Sequence, residues 1–79
     1  MASTLPLARL GIVGGGQLAR MMAPACSAHQ VQLTILDPEP DSPAGQFAHA
    51  QIEGALHDPD SLAALCRVSD VVTFDLEDI

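Results

Sequence analysis

The chain has 79 residues, one small domain at most, and a domain of that size buries only about 60% of the surface its unfolded chain exposes. At 48% hydrophobic and 16% charged residues the composition is globular, but with only Phe47 and Phe74 as aromatics the core must come from Leu, Ile, Val, Ala and Met. Three arginines (Arg9, Arg20, Arg67) and no lysine stand against ten acidic residues, a net charge of −7. That balance excludes nucleic acid and anionic membrane as partners, since both demand a basic surface.

The elements read in chain order. Arg9 to Val13 (R-L-G-I-V) is a short, mostly apolar run of the kind that forms a buried parallel strand. It stops at Gly14-Gly15-Gly16, where the missing Cβ permits a tight turn and close backbone approach. From Gln17 the period becomes helical, with Leu18, Met21, Met22 and Ala25 recurring at three- and four-residue intervals and the two methionines serving as core filler. Pro24 lies inside that pattern, where it removes a backbone bond and clashes with the Arg20 carbonyl at a cost of about 3 kcal/mol. A kink or an early helix end is expected there, with Ala25 to His29 as an irregular connection.

Val31 to Leu36 (V-Q-L-T-I-L) is the second strand, ended by Asp37-Pro38. Pro38 to Gly45 carries three prolines and reads as an ordered loop. Gln46 to His49 forms at most a single turn, and Gln51 to Ala55 is a weak third strand. Asp58-Pro59-Asp60 is a strong helix start: Asp58 as N-cap, Pro59 at the first helical position, Asp60 complementing the helix dipole. Leu62, Leu65 and Cys66 supply the buried face of this helix, and Asp70 to Phe74 is a fourth strand. The order β-α-β-loop-β-α-β predicts an α/β fold with a Rossmann-like parallel sheet of about four strands and a ligand crevice at their carboxyl ends. Two helices for four strands leave one sheet face poorly covered, which suggests a missing partner.

Cys26 and Cys66 lie far apart in helical, apolar surroundings and read as reduced core thiols. His29, His49 and His57 share no metal-ligand spacing and read as solvated, so no metal site is expected. No run of about 18 apolar residues is present, and Met1 to Ala8 lacks a basic segment followed by a long apolar run. A cytoplasmic protein is the expectation.

The chemistry concentrates at Gly14 to Ala19. G-G-G-Q-L-A satisfies the G-x-G-x-x-G/A fingerprint directly after a strand, and Asp37 follows Ala19 by eighteen residues, where a ribose-binding acid would stand. Physically this is a helix N-terminus exposing unpaired N–H groups above a sheet, with an acceptor nearby for hydroxyls. For Asp37 an Asx turn ahead of Pro38 is an equally good reading.

G-I-V-G-G-G-Q-L-A-R-M (Gly11 to Met21) resembles the opening motif of the N5-carboxyaminoimidazole ribonucleotide synthetase family. The resemblance continues through L-D-P-E-P-D-S-P-A (Leu36 to Ala44), H-D-P-D-S-L (His57 to Leu62) and D-V-V-T-F-D-L-E-D-I (Asp70 to Ile79), and so spans nearly the whole chain. It implies that residues 1–79 form the N-terminal pre-ATP-grasp domain of an ATP-grasp ligase, too short for the whole enzyme, with the ATP-grasp domains absent. Such enzymes use ATP, magnesium and bicarbonate to carboxylate the exocyclic amine of 5-aminoimidazole ribonucleotide in purine biosynthesis. The full-length enzyme is then a homodimer, ATP and magnesium sit on its later domains, and the 79-residue chain alone is inactive.

By motif match the resemblance places Gly15, Gly16, Gln17 and Leu18 at the ribonucleotide, Gln17 through its side-chain amide and Leu18 through its backbone N–H. Asp75 or Glu77 would contact a ribose hydroxyl or the base. Asp75 stands where the family usually has Glu, which shortens its reach by one methylene. Two other classes share the fingerprint: an NAD-binding domain of a dehydrogenase, and a non-catalytic nucleotide-sensing module. The first needs free access for adenine beside Asp37, a side that Pro38 and its loop crowd. The second needs a complete six-stranded fold.

Overall fold

The computed structural model describes residues 8–75. Four strands form one parallel sheet: β1 (Arg9–Val13), β2 (Gln32–Asp37), β3 (Ala50–Glu53) and β4 (Val71–Phe74), in the order β3-β2-β1-β4. Two helices connect them, α1 (Gln17–Ala28) between β1 and β2 and α2 (Pro59–Arg67) between β3 and β4. The expected α/β sheet is therefore present, with β3 at Ala50–Glu53, a shorter strand than the sequence suggested.

Strand alternation sorts the core into two layers. Ile12, Leu33 and Ile35 point to one face, where they meet Ala19, Ala23 and Cys26 of α1 and Ala44 of the loop after β2. Val13 and Leu36 point to the other face and pack on Leu65 of α2. Each face thus carries one helix, as parallel strands buried on both sides require. What stays uncovered is β4. Val71 pairs with Leu10 and so lies on the α1 face, yet it is exposed, as is Thr73 beside it. Phe74, on the α2 face, is 60% exposed.

Ala19, Ala23 and Cys26 recur at helical spacing and are buried, so α1 lies on the sheet by a stripe of small side chains. Contrary to the expectation of an early end, α1 continues through Pro24 to Ala28. Pro24 and Arg20 are both exposed, so water reaches the Arg20 carbonyl that loses its partner. Beyond Pro24 the helix is held by buried Cys26 and by a Schellman closure. In that closure Val31 N–H donates to Cys26 O at 2.7 Å and Gln30 N–H to Ser27 O at 3.2 Å. Gln30 takes the left-handed conformation the closure needs, with φ 60°.

Helix α2 begins as read. Asp58 caps it by accepting from Ser61 N–H at 3.0 Å and from Ser61 Oγ at 2.8 Å, with Pro59 in the first position. Leu65 is its fully buried contact and Leu62 is half-buried, but Cys66 is exposed, not a core thiol. The Leu65 side chain fills the space above Gly11, and that turns Cys66, the next residue, outward. Met21 is likewise exposed at 73%, because the buried stripe runs through Ala19 and Ala23; Met22 alone packs against the core. His29, His49 and His57 are all exposed. Among the described residues no helix is long and apolar enough to cross a membrane.

Candidate functional site

The carboxyl ends of β1, β2 and β4 converge on the glycine turn. Gly14 N–H donates to Leu36 O at 2.8 Å and Asp75 N–H to Val13 O at 2.9 Å, so the residues that follow the three strands are locked side by side. Gly14 has φ 103°, a conformation costly for any residue with a Cβ. At Gly15 the constraint is space: a Cβ there would lie 2.4 Å from Ser42 Oγ and 2.9 Å from Ile35 Cγ2. Glycine is thus needed at the first position for its conformation and at the second for its lack of a side chain.

Helix α1 starts at Gly16, which offers no side-chain cap. The cap comes instead from the residue that follows β4. Asp75 Oδ2 accepts from Ala19 N–H at 2.9 Å, satisfying the third helical position from a residue 56 places away. Among the described residues nothing accepts from the N–H groups of Gly16, Gln17 or Leu18. Gln17 and Leu18 are exposed beside them, Leu18 at 59%. The mouth of the helix is a row of donors with an amide side chain at its edge, an arrangement suited to an anionic or hydroxyl-rich ligand.

Asp37 flanks the turn on the other side and both its oxygens are engaged. Oδ2 accepts from Gly15 N–H at 2.8 Å, and Oδ1 from Glu39 N–H at 2.9 Å, closing an Asx turn. The Asx reading of the sequence is therefore realised, and the same carboxylate also orients the glycine turn. Gly15, Gly16, Gln17, Leu18, Asp37 and Asp75 all meet at this crevice; Glu77 lies outside the described residues.

The loop that follows Asp37 forms a second layer of support that the sequence did not announce. Ala44 N–H donates to Gly15 O at 3.0 Å. Ser42, 1% exposed, accepts at Oγ from Gly45 N–H at 3.0 Å and donates to Gln51 Oε1 at 2.9 Å. Gln51 Nε2 in turn donates to the carbonyls of Glu39 and Asp37. Arg20 lies 5.1 Å from the centre of the Phe47 ring, over its face, near the end of this loop.

Few positive charges are free to reach the crevice. Arg9 pairs with Asp70 at 2.9 Å at the opposite end of β1, and Arg67 sits in the last turn of α2. Among the described residues no three His, Cys, Asp or Glu side chains converge as a metal site.

The fold that carries this turn has counterparts among known proteins. Residues 7–79 match the family described as the ribonucleotide synthetase preATP-grasp domain. The chain belongs to that pre-ATP-grasp family. It is 43% identical over 77 residues to the N5-carboxyaminoimidazole ribonucleotide synthase of Brucella melitensis, covering 98% of this chain and 21% of that protein. Among solved structures it is similar to an N5-carboxyaminoimidazole ribonucleotide synthetase bound to ADP, with a TM-score of 0.88 at 41% identity, covering 95% of this chain and 20% of the other. It is similar also to the Aspergillus clavatus enzyme in complex with ADP and 5-aminoimidazole ribonucleotide. There the TM-score is 0.81 at 29% identity, over 92% of this chain and 20% of the other. The chain thus spans about a fifth of the length of these relatives.

The pre-ATP-grasp fold explains which site residues a sequence can disclose. Gly14 to Leu18 form one contiguous motif. Ser42 and Gln51 are joined only by the pairing of β3 with β2, which sets Gln51 beside Ile35 and so on the face of the glycine turn. The sole hint was the polar Gln51 within a strand whose neighbours are Ala50 and Ile52.

Proposed function

We propose that this chain is the ribonucleotide-binding part of an ATP-dependent carbon–nitrogen ligase that carboxylates 5-aminoimidazole ribonucleotide with bicarbonate, giving N5-carboxyaminoimidazole ribonucleotide in purine biosynthesis. The observation that carries the reading is the open row of N–H groups at Gly16, Gln17 and Leu18, next to the Gln17 amide, in a chain of this family. The names of the relatives and the ribonucleotide in the Aspergillus clavatus complex support the substrate.

In this reading Leu18 N–H donates to the ligand, and the Gln17 amide both donates and accepts. Asp75 keeps Oδ2 on Ala19 N–H and turns Oδ1 toward a ribose hydroxyl or the base, so that capping and binding coexist in one carboxylate. Glu77 is the alternative contact. Residues 1–79 form the first domain. ATP and magnesium are assigned to ATP-grasp domains beyond them, a reading supported by the ADP-bound relative of which this chain spans a fifth and by a sequence with no lysine for the phosphates. The whole enzyme is a cytoplasmic homodimer, and residues 1–79 by themselves are inactive. A dinucleotide-binding role is disfavoured by Asp37, each of whose oxygens already accepts one backbone N–H and keeps only its remaining lone pair for a ribose.

Gln17→Ala in the full-length enzyme tests this. Losing one hydrogen bond of about 0.5–1.5 kcal/mol should raise KM for the ribonucleotide up to about tenfold and leave KM for ATP unchanged. Equal effects on both would sink the assignment.

A further inference from the structure

Gln51 makes no hydrogen bond to the glycine turn or the helix mouth among the described residues, yet it holds the loop whose Asp37 and Ala44 brace the turn. Its Oε1 accepts from Ser42 Oγ, and its Nε2 donates to the carbonyls of Asp37 and Glu39. One side chain on β3 therefore ties down both ends of the segment from Asp37 to Ser42. Ser42 Oγ extends the tie to Gly45 N–H, and between these anchors Ala44 N–H holds Gly15 O. Asp37, at the near end, holds Gly15 N–H.

The consequence at the site follows from peptide geometry. With Gly15 N–H on Asp37 and Gly15 C=O on Ala44, both polar groups of that residue are fixed. The described residues contain no cis peptide bond, and a trans peptide sets its C=O and the following N–H in opposite directions. Holding Gly15 C=O toward the loop therefore aims Gly16 N–H away from it. Gly16 is the cap position of α1, so the direction of the first open donor depends on the latch from Ala44.

We propose that Gln51, acting through Ser42 and Ala44, is a positioning residue for the ribonucleotide site: it sets the direction of the Gly16 N–H and the start of α1 without contacting ligand. This rests on the functional reading above. The amide is needed as both donor and acceptor. A glutamate could still accept from Ser42, but its second oxygen would face the carbonyls of Asp37 and Glu39 with no hydrogen to offer.

The test uses the full-length enzyme with Gln51→Leu, which keeps the bulk and removes the amide, and Gln51→Glu, which keeps only the acceptor. Should the leucine variant fail to fold, Ser42→Ala removes the hydroxyl at the other end of the same tie and carries the same expectation. Two quantities are read: steady-state kinetics for both substrates, and hydrogen exchange of the Ala44 and Gly45 amides. KM for the ribonucleotide should rise about three- to tenfold, the loss expected when one hydrogen bond to ligand is misdirected. KM for ATP and kcat at saturation should stay unchanged, and both amides should lose protection. Lost protection with unchanged KM would make Gln51 merely structural and overturn the inference, as would retained protection. If Gln17→Ala raises KM while the Gln51 variants are silent, the inference fails and the functional reading stands. A wild-type enzyme without ribonucleotide-dependent ATP turnover overturns both.

Discussion

Gly15→Ala probes how tightly the site is built, and its cost can be worked from three distances. The new methyl group would lie 2.4 Å from Ser42 Oγ, 2.8 Å from Ser42 Cβ and 2.9 Å from Ile35 Cγ2. Ser42 is 1% exposed and Ile35 is fully buried, so neither has room to swing aside. Overpacking of a closed core costs about 1–3 kcal/mol. The gain from restricting the unfolded chain offsets about 0.4–1 kcal/mol of it. A net loss of about 0–2.6 kcal/mol follows, centred on about 1.3 kcal/mol.

Two of the three close atoms belong to Ser42, so the penalty should be relieved by removing that side chain. Ser42→Gly alone loses two hydrogen bonds of about 1 kcal/mol each and about 0.5–1 kcal/mol for the added backbone freedom. In the double variant the methyl occupies the space Ser42 leaves, and only the Ile35 contact persists. The double variant should then be about 1 kcal/mol more stable than the sum of the single changes predicts, an interaction energy within the range for residues in contact. Urea unfolding followed by far-UV circular dichroism suits the measurement, since the chain has no tryptophan or tyrosine. Additivity within about 0.3–0.5 kcal/mol would refute the reasoning, because it would mean that the backbone shifts away and Ser42 never meets the methyl.

Other expectations follow from the same structure. Gln30→Gly should stabilise by about 0.5–1 kcal/mol, because the left-handed φ of 60° at the end of α1 costs a side chain more than the flexibility of glycine does; a fall in the urea midpoint would count against it. Asp70 is held below its ordinary value of 3.8, first by the hydrogen bond from the Arg9 side chain and then by the Arg9 backbone N–H. A lowered folded-state value means stability that is complete above the unfolded value and is lost as pH falls through the folded one. The stability difference between wild type and Asp70→Asn should therefore be flat at neutral pH and shrink only below about pH 4, and a difference that grows on acidification would contradict the pairing.

The sequence disclosed what is local. The strand–glycine–helix unit from Arg9 to Ala19 was legible because a buried strand, a Cβ-free turn and a helical period succeed one another without interruption. Asp58-Pro59-Asp60 was legible for the same reason, since capping is decided within three residues. The continuation of α1 past Pro24 was not, because the outcome depended on which way the Arg20 carbonyl faces and on a closure at Gln30 that carries no glycine. Burial of Met21 and Cys66 was misjudged because apolar residues cover more of each helix than the sheet can accept. The long-range ties were beyond pattern reading altogether. Asp75 could be recognised as an acid at a strand end, but that it would cap Ala19 follows only from the position of β4 beside β1.

That position also bears on how an acidic chain would hold the phosphorylated ligand of the proposed function. Among the described residues two carboxylates border the crevice, and a phosphate near either would be repelled. Asp37 gives both oxygens and Asp75 gives one to backbone N–H groups, which draws their charge onto the turn and away from the open donors. Backbone dipoles alone contribute little, about 0.3–1 kcal/mol for a charge at an exposed helix start. None of the three arginines faces the turn: one is paired with Asp70, one lies over Phe47 and one closes α2. The chain therefore contributes geometry more than charge. In the proposed function it would fix where a ribonucleotide sits by the directions of a few N–H groups, and the cations that neutralise the phosphate would belong to the rest of the proposed enzyme. This is why the directions themselves, and the Ser42–Gln51 tie that sets them, are the property most worth perturbing.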